Sequence, residues 1–321
     1  MKRLILALCL VPGLALTQAA FAQTFPTKPI RLIVPFGPGG VADITARSVA
    51  PKISELLGQQ LVIENKPSAG GVIAGQEVAR AAPDGYTLLL INNGNAVSKA
   101  LFKSLPYDPE KDFAMISTIG YFAVVLLADP KSPLKSVKDV IAAAKAKPGR
   151  MNVGTIGIGS TQNLAAELFK STAGVDVQII PYKATGEVVT AAKNGDADLV
   201  FEILAPAMSH IKSGNLHALA VTSAKRFAGL PNVPTVLESG LPGYEVNSWN
   251  GLAAPAKTPR AVIDRVHQAV TQALAAPEVQ KRLLELGVEG RSSSPDQLRE
   301  FYAAEAKRWT QVVERAKIPK Q

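Results

Sequence analysis

Residues 30–47 read IRLIVPFGPGGVADITAR, and no other run constrains the fold of this chain as tightly. The apolar stretch at 30–36 suits a short strand buried on both faces. Gly37, Pro38, Gly39 and Gly40 then make a tight turn, and the pattern beyond predicts an amphipathic helix from 41 to about 58. A strand that turns sharply into a helix leaves the first helical N–H groups unpaired, where they can hold an anion without any charged side chain. The glycines also have a plain structural use, since they let the chain reverse direction. The turn lacks the GxGxxG spacing of a dinucleotide site, and no Gly-Lys-Ser/Thr follows to make a P-loop.

The same alternation continues. A strand is expected at 60–66, a helix at 69–82 and a continuous apolar strand at 86–92. Strand, helix, strand, helix, strand predicts right-handed crossovers and a doubly wound, mostly parallel α/β lobe with ligands at the C-terminal strand ends. Phe36 to Gly40 and Asn92 with Asn93 fall at those ends. Less regular sequence follows, and a capped helix is expected to begin at Ser136. The device then repeats: a strand at 151–156, a turn at Gly157 and Gly159, and a helix capped by Ser160 or Thr161, with Gln162 and Asn163 in its first turn. Strands at 177–182, 197–201 and 216–222 alternate with helices at 186–193 and 205–212. Residues 231–242 are rich in breakers and read as a connection. Thr258-Pro259 and Ser294-Pro295 each mark a helix start, the first with an apolar stripe of Ile263, Val266, Val270 and Leu274. The chain is long enough for two lobes. They are expected over 23–122 plus 246–321 and over 123–245, with crossings near 121–125 and 244–253.

The N-terminus reads as an export signal over 1–22. Lys2 and Arg3 precede a short apolar run, and Ala20-Phe21-Ala22 offers small residues for cleavage after Ala22. The single cysteine, Cys9, lies inside it, so the mature chain carries none. Export without disulfides points to a bacterial periplasm and to a domain held by its own core. Losing Lys2 and Arg3 takes the formal charge from +9 to +7. The basic residues are scattered and not interleaved with aromatics, which argues against nucleic-acid binding. A mildly positive surface favours small anions. Of the three histidines, His210, His217 and His267, none has metal-ligand spacing, so no metal or other cofactor is expected. Gly-Ile-Gly-Ser at 157–160 is not a nucleophile elbow, and no catalytic residue is assigned.

Four further residues have two readings each. Asp43 and Arg47 stand four apart, in the favourable order for an intrahelical pair, and Asp43 also complements the helix dipole. Its functional reading is that it lines the cleft and receives a ligand ammonium or hydroxyl, or orders the binding turn. Lys183 is expected at a strand end, either solvated or facing a carboxylate. Glu202, similarly placed, would oppose an anion unless it is paired or meets an amine. Trp249, near the return crossing, packs the hinge or covers a ligand.

With these residues assembled, the chain resembles the Bug family, periplasmic substrate-binding receptors of tripartite tricarboxylate transporters. The resemblance runs through FPTKPIRLIVPFGPGGVADITAR, VIENKPSAGGVIAG, PDGYTLLL, IPYKATGEVVTAAKNGDADLVFE, HIKSGNLHALAVTS and LPNVPTVLESGLPGYEVNSWNGLAAPA, in that order. It implies a monomeric, type II-like two-lobed binding protein, not an enzyme, that closes on a small organic acid and delivers it to a membrane permease. It also implies that Phe36 to Val41 with Asp43, and Gly157 to Asn163, grip a ligand carboxylate. The chain departs from the family pattern at Gln162-Asn163, where histidine is common, and at Glu202, where aspartate or a small residue is common. Two other roles share these features: a ligand sensor docking on a membrane kinase, and a hydrolase using the same cleft.

Overall fold

A computed structural model of the protein describes residues 25–315 and 317–321. The proposed leader, with Cys9 and the Ala22 cleavage point, lies outside the described residues. Strand β1 (Ile30–Val34) is almost wholly buried and leads through the glycine turn into α1 (Val41–Leu57). Gly58 stops α1 with φ 74°, its N–H reaching back to the Ser54 and Glu55 carbonyls. Strand β2 (Leu61–Asn65) pairs parallel with β1. The expected helix at 69–82 is divided: a single 3₁₀ turn at Ala69–Gly71 precedes α2 (Val72–Ala79). Gly70 and Gly71, at φ 58° and 68°, are left-handed and cannot continue a right-handed helix into α2. Strand β3 (Thr87–Asn92) completes a parallel trio on the other side of β1.

A helix not anticipated from the sequence follows at once, α3 (Asn93–Leu101). Asn-Gly-Asn reads as a turn, but here Asn92 and Asn95 form a reciprocal capping box that starts the helix on the last residue of β3. Strand β4 (Phe113–Ala128) then runs for 16 residues. The second set comprises α4 (Val137–Ala146), β5 (Asn152–Ile156), α5 (Thr161–Ala173), β6 (Gln178–Tyr182), α6 (Thr185–Asn194), β7 (Leu199–Ile203), α7 (Leu204–Lys212) and β8 (His217–Val221). Strands β6, β5 and β7 form another parallel trio. The return strand β9 (Asn247–Pro255) lies antiparallel between β3 and β4. Three helices close the chain: α8 (Arg260–Ala275), α9 (Pro277–Glu285) and α10 (Pro295–Arg315). Ser294 caps α10 as its sequence predicts, whereas Thr258 does not cap α8, which starts one residue after Pro259. The Thr258 hydroxyl is instead buried without a partner among the described residues.

The architecture is a two-lobed α/β fold, each half a parallel trio extended by antiparallel strands. β4 changes partners part-way along: Ala123 pairs with Asn247 of β9, while Val124 pairs with Ile203 of β7 and Val125 with Val221 of β8. Thr222, fully buried, fastens this point. Its hydroxyl accepts from the Val124 N–H at 3.1 Å and donates to the Val246 carbonyl at 2.6 Å, joining both crossing segments. The stripe of α8 is buried as its periodicity predicts, and α10 covers α3 and β4. Trp249 on β9 is fully buried under α10, edge-on to Phe301 at 5.2 Å and Tyr302 at 6.2 Å. Replacing it by alanine is expected to cost about 3–5 kcal/mol, as for other large buried aromatics. Urea denaturation of W249A checks this, and a loss under 1 kcal/mol would contradict the packing role.

Candidate ligand-binding cleft

Between the two halves lies a cavity of about 350 Å³. Its first wall is the turn after β1: Phe36, Gly37, Pro38, Gly39 and Gly40, continuing into Val41 and Ala42 of α1. Gly39 has φ 81°, a conformation costly for any residue with a Cβ. Gly40 caps α1 without a side-chain acceptor, so the first helical N–H groups have no side-chain capping oxygen among the described residues.

Asp43 holds this turn from behind. It is 3% exposed and does not line the cavity. Its Oδ2 accepts from the Gly39 N–H at 3.0 Å, and its Oδ1 from Arg47 Nε at 2.9 Å and Asn65 Nδ2 at 3.0 Å. Asn65 Nδ2 also donates to the Phe36 carbonyl at 3.0 Å. One carboxylate thus fixes both ends of the glycine turn, which is the ordering role and not the ammonium-receiving one. Burial pushes the Asp43 pKa up, but Arg47, the Gly39 N–H and Asn65 outweigh it and hold it below the usual carboxylate value. Asn65 was not anticipated; its only signal was a polar residue at the end of β2.

The floor of the cavity is the paired ends of β3 and β9, where Asn92 stands opposite Asn250, with Ser248 nearby. Asn92 uses its oxygen to cap α3 through the Gly94 N–H at 2.7 Å, leaving its Nδ2 without a partner among the described residues. Asn93 sits behind the wall and spans the two halves: its Nδ2 donates to Thr161 Oγ1 at 3.1 Å and to the Asn247 carbonyl at 3.3 Å. Thr161 Oγ1 lies 2.9 Å from Ser248 Oγ.

The facing wall comes from the second half: Ile156, Ser160, Thr161, Gln162, Lys183 to Gly186, Glu202, Ile203 and Pro206. Ser160 caps α5, accepting from the Asn163 N–H at 3.1 Å. Asn163 in turn accepts from the Gly159 N–H at 3.3 Å. Gly157, Gly159 and Asn163 therefore shape the loop and do not line the cavity; the two glycines face a more open groove at its mouth. Trp249 likewise points away. Glu202 is fully buried, its Oε1 accepting from Gln162 Nε2 and from the Ile203 N–H, both at 2.7 Å. Burial pushes its pKa up against these bonds. No histidine is among the lining residues.

Four helices start at this cavity: α1, α5, α6 and α7 contribute first-turn residues to its lining. Of these only α5 carries a side-chain cap. Three lining side-chain atoms, Asn92 Nδ2, Asn250 Nδ2 and Glu202 Oε2, are buried with no hydrogen-bond partner among the described residues. Buried polar groups are rarely left so, and these three make the cavity the candidate site for another molecule. The walls between them are apolar: Phe36, Val41, Phe122, Ile156, Ile203 and Pro206.

Residues 45–318 match the sequence model of the tripartite tricarboxylate transporter family receptor, TctC. The chain belongs to this family. A solved periplasmic binding protein, BugD, is 33% identical to it with a TM-score of 0.85, covering 92% of this chain and 100% of that one. An R. palustris protein solved with adipate is also 33% identical, with a TM-score of 0.87 over 92% of this chain and 100% of its own. MatC from Rhodopseudomonas palustris, solved with malate, is 32% identical with a TM-score of 0.82, covering 90% and 100%. This TctC-family chain is accordingly a solute-binding protein and not an enzyme.

The low pKa of Asp43 gives a pH test of the turn. Its contribution to stability is complete above the unfolded carboxylate value of about 4 and is lost as pH falls through its lower folded value. The stability gap between the native protein and D43N, measured by urea denaturation, is expected to stay constant from pH 8 to 5 and to shrink below about pH 4. A gap that does not vary with pH would contradict the assigned bonds.

Proposed function

We propose that the protein is a periplasmic receptor that captures a small organic acid in this cleft and delivers it to a tripartite tricarboxylate-type permease. The observation that carries the reading is the convergence of four helix N-termini and two unpartnered asparagine amides on one largely apolar cavity. A carboxylate offers about four acceptor sites, so it can accept from several of these donors at once. The adipate and malate bound by two relatives support a carboxylate-bearing ligand.

Magnitudes fix how the binding is shared. Each helix end supplies about 0.3–1 kcal/mol, so four give about 1–4 kcal/mol. Micromolar affinity needs about 8 kcal/mol. Direct hydrogen bonds to the backbone N–H groups, to Asn92 and to Asn250 supply the remainder, helped by exclusion of water. Among the lining residues the sole basic side chain is Lys183, which is exposed and adds a weak, screened attraction at the mouth.

In this reading the moving bodies are 23–122 with 246–321, and 123–245. The exchange of partners along β4 at Ala123 and Val124 supports a hinge there. Closure brings Thr161 to Asn93, and a ligand favours the closed form to the extent that it binds both walls. The closed outer face is then what a permease recognises.

Thermal-shift titration with carboxylates tests the reading. A ligand at 100 times its Kd should add about 2.7 kcal/mol of stability, a saturable rise in Tm. No shift with any mono-, di- or tricarboxylate would contradict it.

A further inference from the structure

We propose that Glu202 is the residue that selects the ligand's second acidic group: it faces the cavity as an uncharged carboxylic acid whose Oε2–H is donated to a second carboxylate. This rests on the organic-acid reading above and adds to it a preference for diacids over monoacids and amino acids.

The asymmetry of its bonds carries the inference. An ionised carboxylate spreads its charge over two equivalent acceptor oxygens, whereas a carboxylic acid has one carbonyl acceptor and one hydroxyl donor. Both donors that reach Glu202, Gln162 Nε2 and the Ile203 N–H, converge at 2.7 Å on Oε1. Oε2 is buried with no partner among the described residues. That is the pattern of a C=O oxygen doubly satisfied and a hydroxyl waiting for an acceptor. The described residues place no acceptor within hydrogen-bond distance of Oε2, although the Thr185 hydroxyl stands near enough to act on Glu202; an organic acid supplies one.

The charges around Glu202 agree. It makes no ion pair with a described residue, unlike the acids of the surface. Its partner across β4 is Val125. On α5 the nearest polar group is Gln162, with Glu167 further along the helix. The loop before α6 brings Lys183, whose side chain is exposed and whose N–H is bonded to Glu187, and α6 itself brings Thr185. On α7, His210 and Lys212 lie in the last turn, away from the cavity end. Across the cleft, Asp43 and Arg47 are paired with each other. The helix ends at this wall favour negative charge, but the ligand's carboxylates compete for the same N–H groups. Burial raises the Glu202 pKa, in keeping with an acid that holds its proton.

No covalent bond changes. The proton stays with Glu202 and is shared with the ligand oxygen, so a protein in which Glu202 has ionised must take up one proton to bind a diacid. Isothermal titration of succinate, glutarate and adipate, with butyrate and glutamate as comparisons, tests this over pH 6–9 in buffers of different ionisation enthalpy. For the wild-type protein, diacid affinity should approach a tenfold fall per pH unit above the Glu202 value, about one proton being taken up per ligand. Glu202→Gln keeps a donor in place of Oε2–H and should bind diacids with no such dependence on pH. Glu202→Leu should lose at least tenfold more affinity for diacids than for butyrate. Butyrate bound by the wild type as tightly as the diacids would overturn the assignment, and needs no variant to fold. So would glutamate binding tighter than diacids and abolished by Glu202→Gln, which would make Glu202 an anion that receives an ammonium. If no carboxylate binds at any pH, it is the receptor reading itself that fails.

Discussion

A helix that begins inside a protein leaves its first N–H groups without partners, and in this chain four helices begin around one cavity. That constraint organises the rest. The parallel trios place the starts of α1, α5, α6 and α7 beside the C-terminal ends of their strands. Three of these helices have no side-chain cap, so their polar ends stay available to a ligand. In the proposed reading, a carboxylate in the cavity partners these ends.

The glycine turn illustrates how such a site is kept in shape. Gly37, Gly39 and Gly40 leave the backbone of the turn uncovered by side chains, and glycine is also the most conformationally free residue. Asp43, Asn65 and Arg47 counter this by tying the Gly39 N–H and the Phe36 carbonyl to a single buried carboxylate. The opposite loop is tied by the Ser160 and Asn163 side chains. In both loops the most polar residues support the backbone, and the backbone presents the site. At the crossing between halves, Thr222 does the same for β4 and the segment entering β9.

Much of this was legible in the sequence, because strand-turn-helix units with continuous apolar strands have few alternative folds. β1 with α1 and β5 with α5 follow their patterns to within a residue or two. The losses have physical causes. α3 was hidden because Asn-Gly-Asn is turn chemistry unless a capping box forms, and that needs Asn95 to fold back on Asn92. The break before α2 lies in two left-handed glycines whose conformation no composition reveals. Of the expected site residues, Phe36 to Val41, Asn92, Ser160 to Gln162, Lys183 and Glu202 line the cavity. Asp43, Asn93, Asn163 and Trp249 stand behind it, a distinction that depends on side-chain direction and not on position along the chain. Asn250 and Ser248 were missed because only the antiparallel pairing of β9 with β3 brings them to the floor.

The most direct test of the central claim is a crystal structure of the protein with a bound dicarboxylate. One ligand carboxylate should lie within hydrogen-bond distance of the first N–H groups of α1 and α5, with Asn92 or Asn250 donating to it. A carboxylate held by Lys183 in the outer groove, with those N–H groups left to water, would contradict the account.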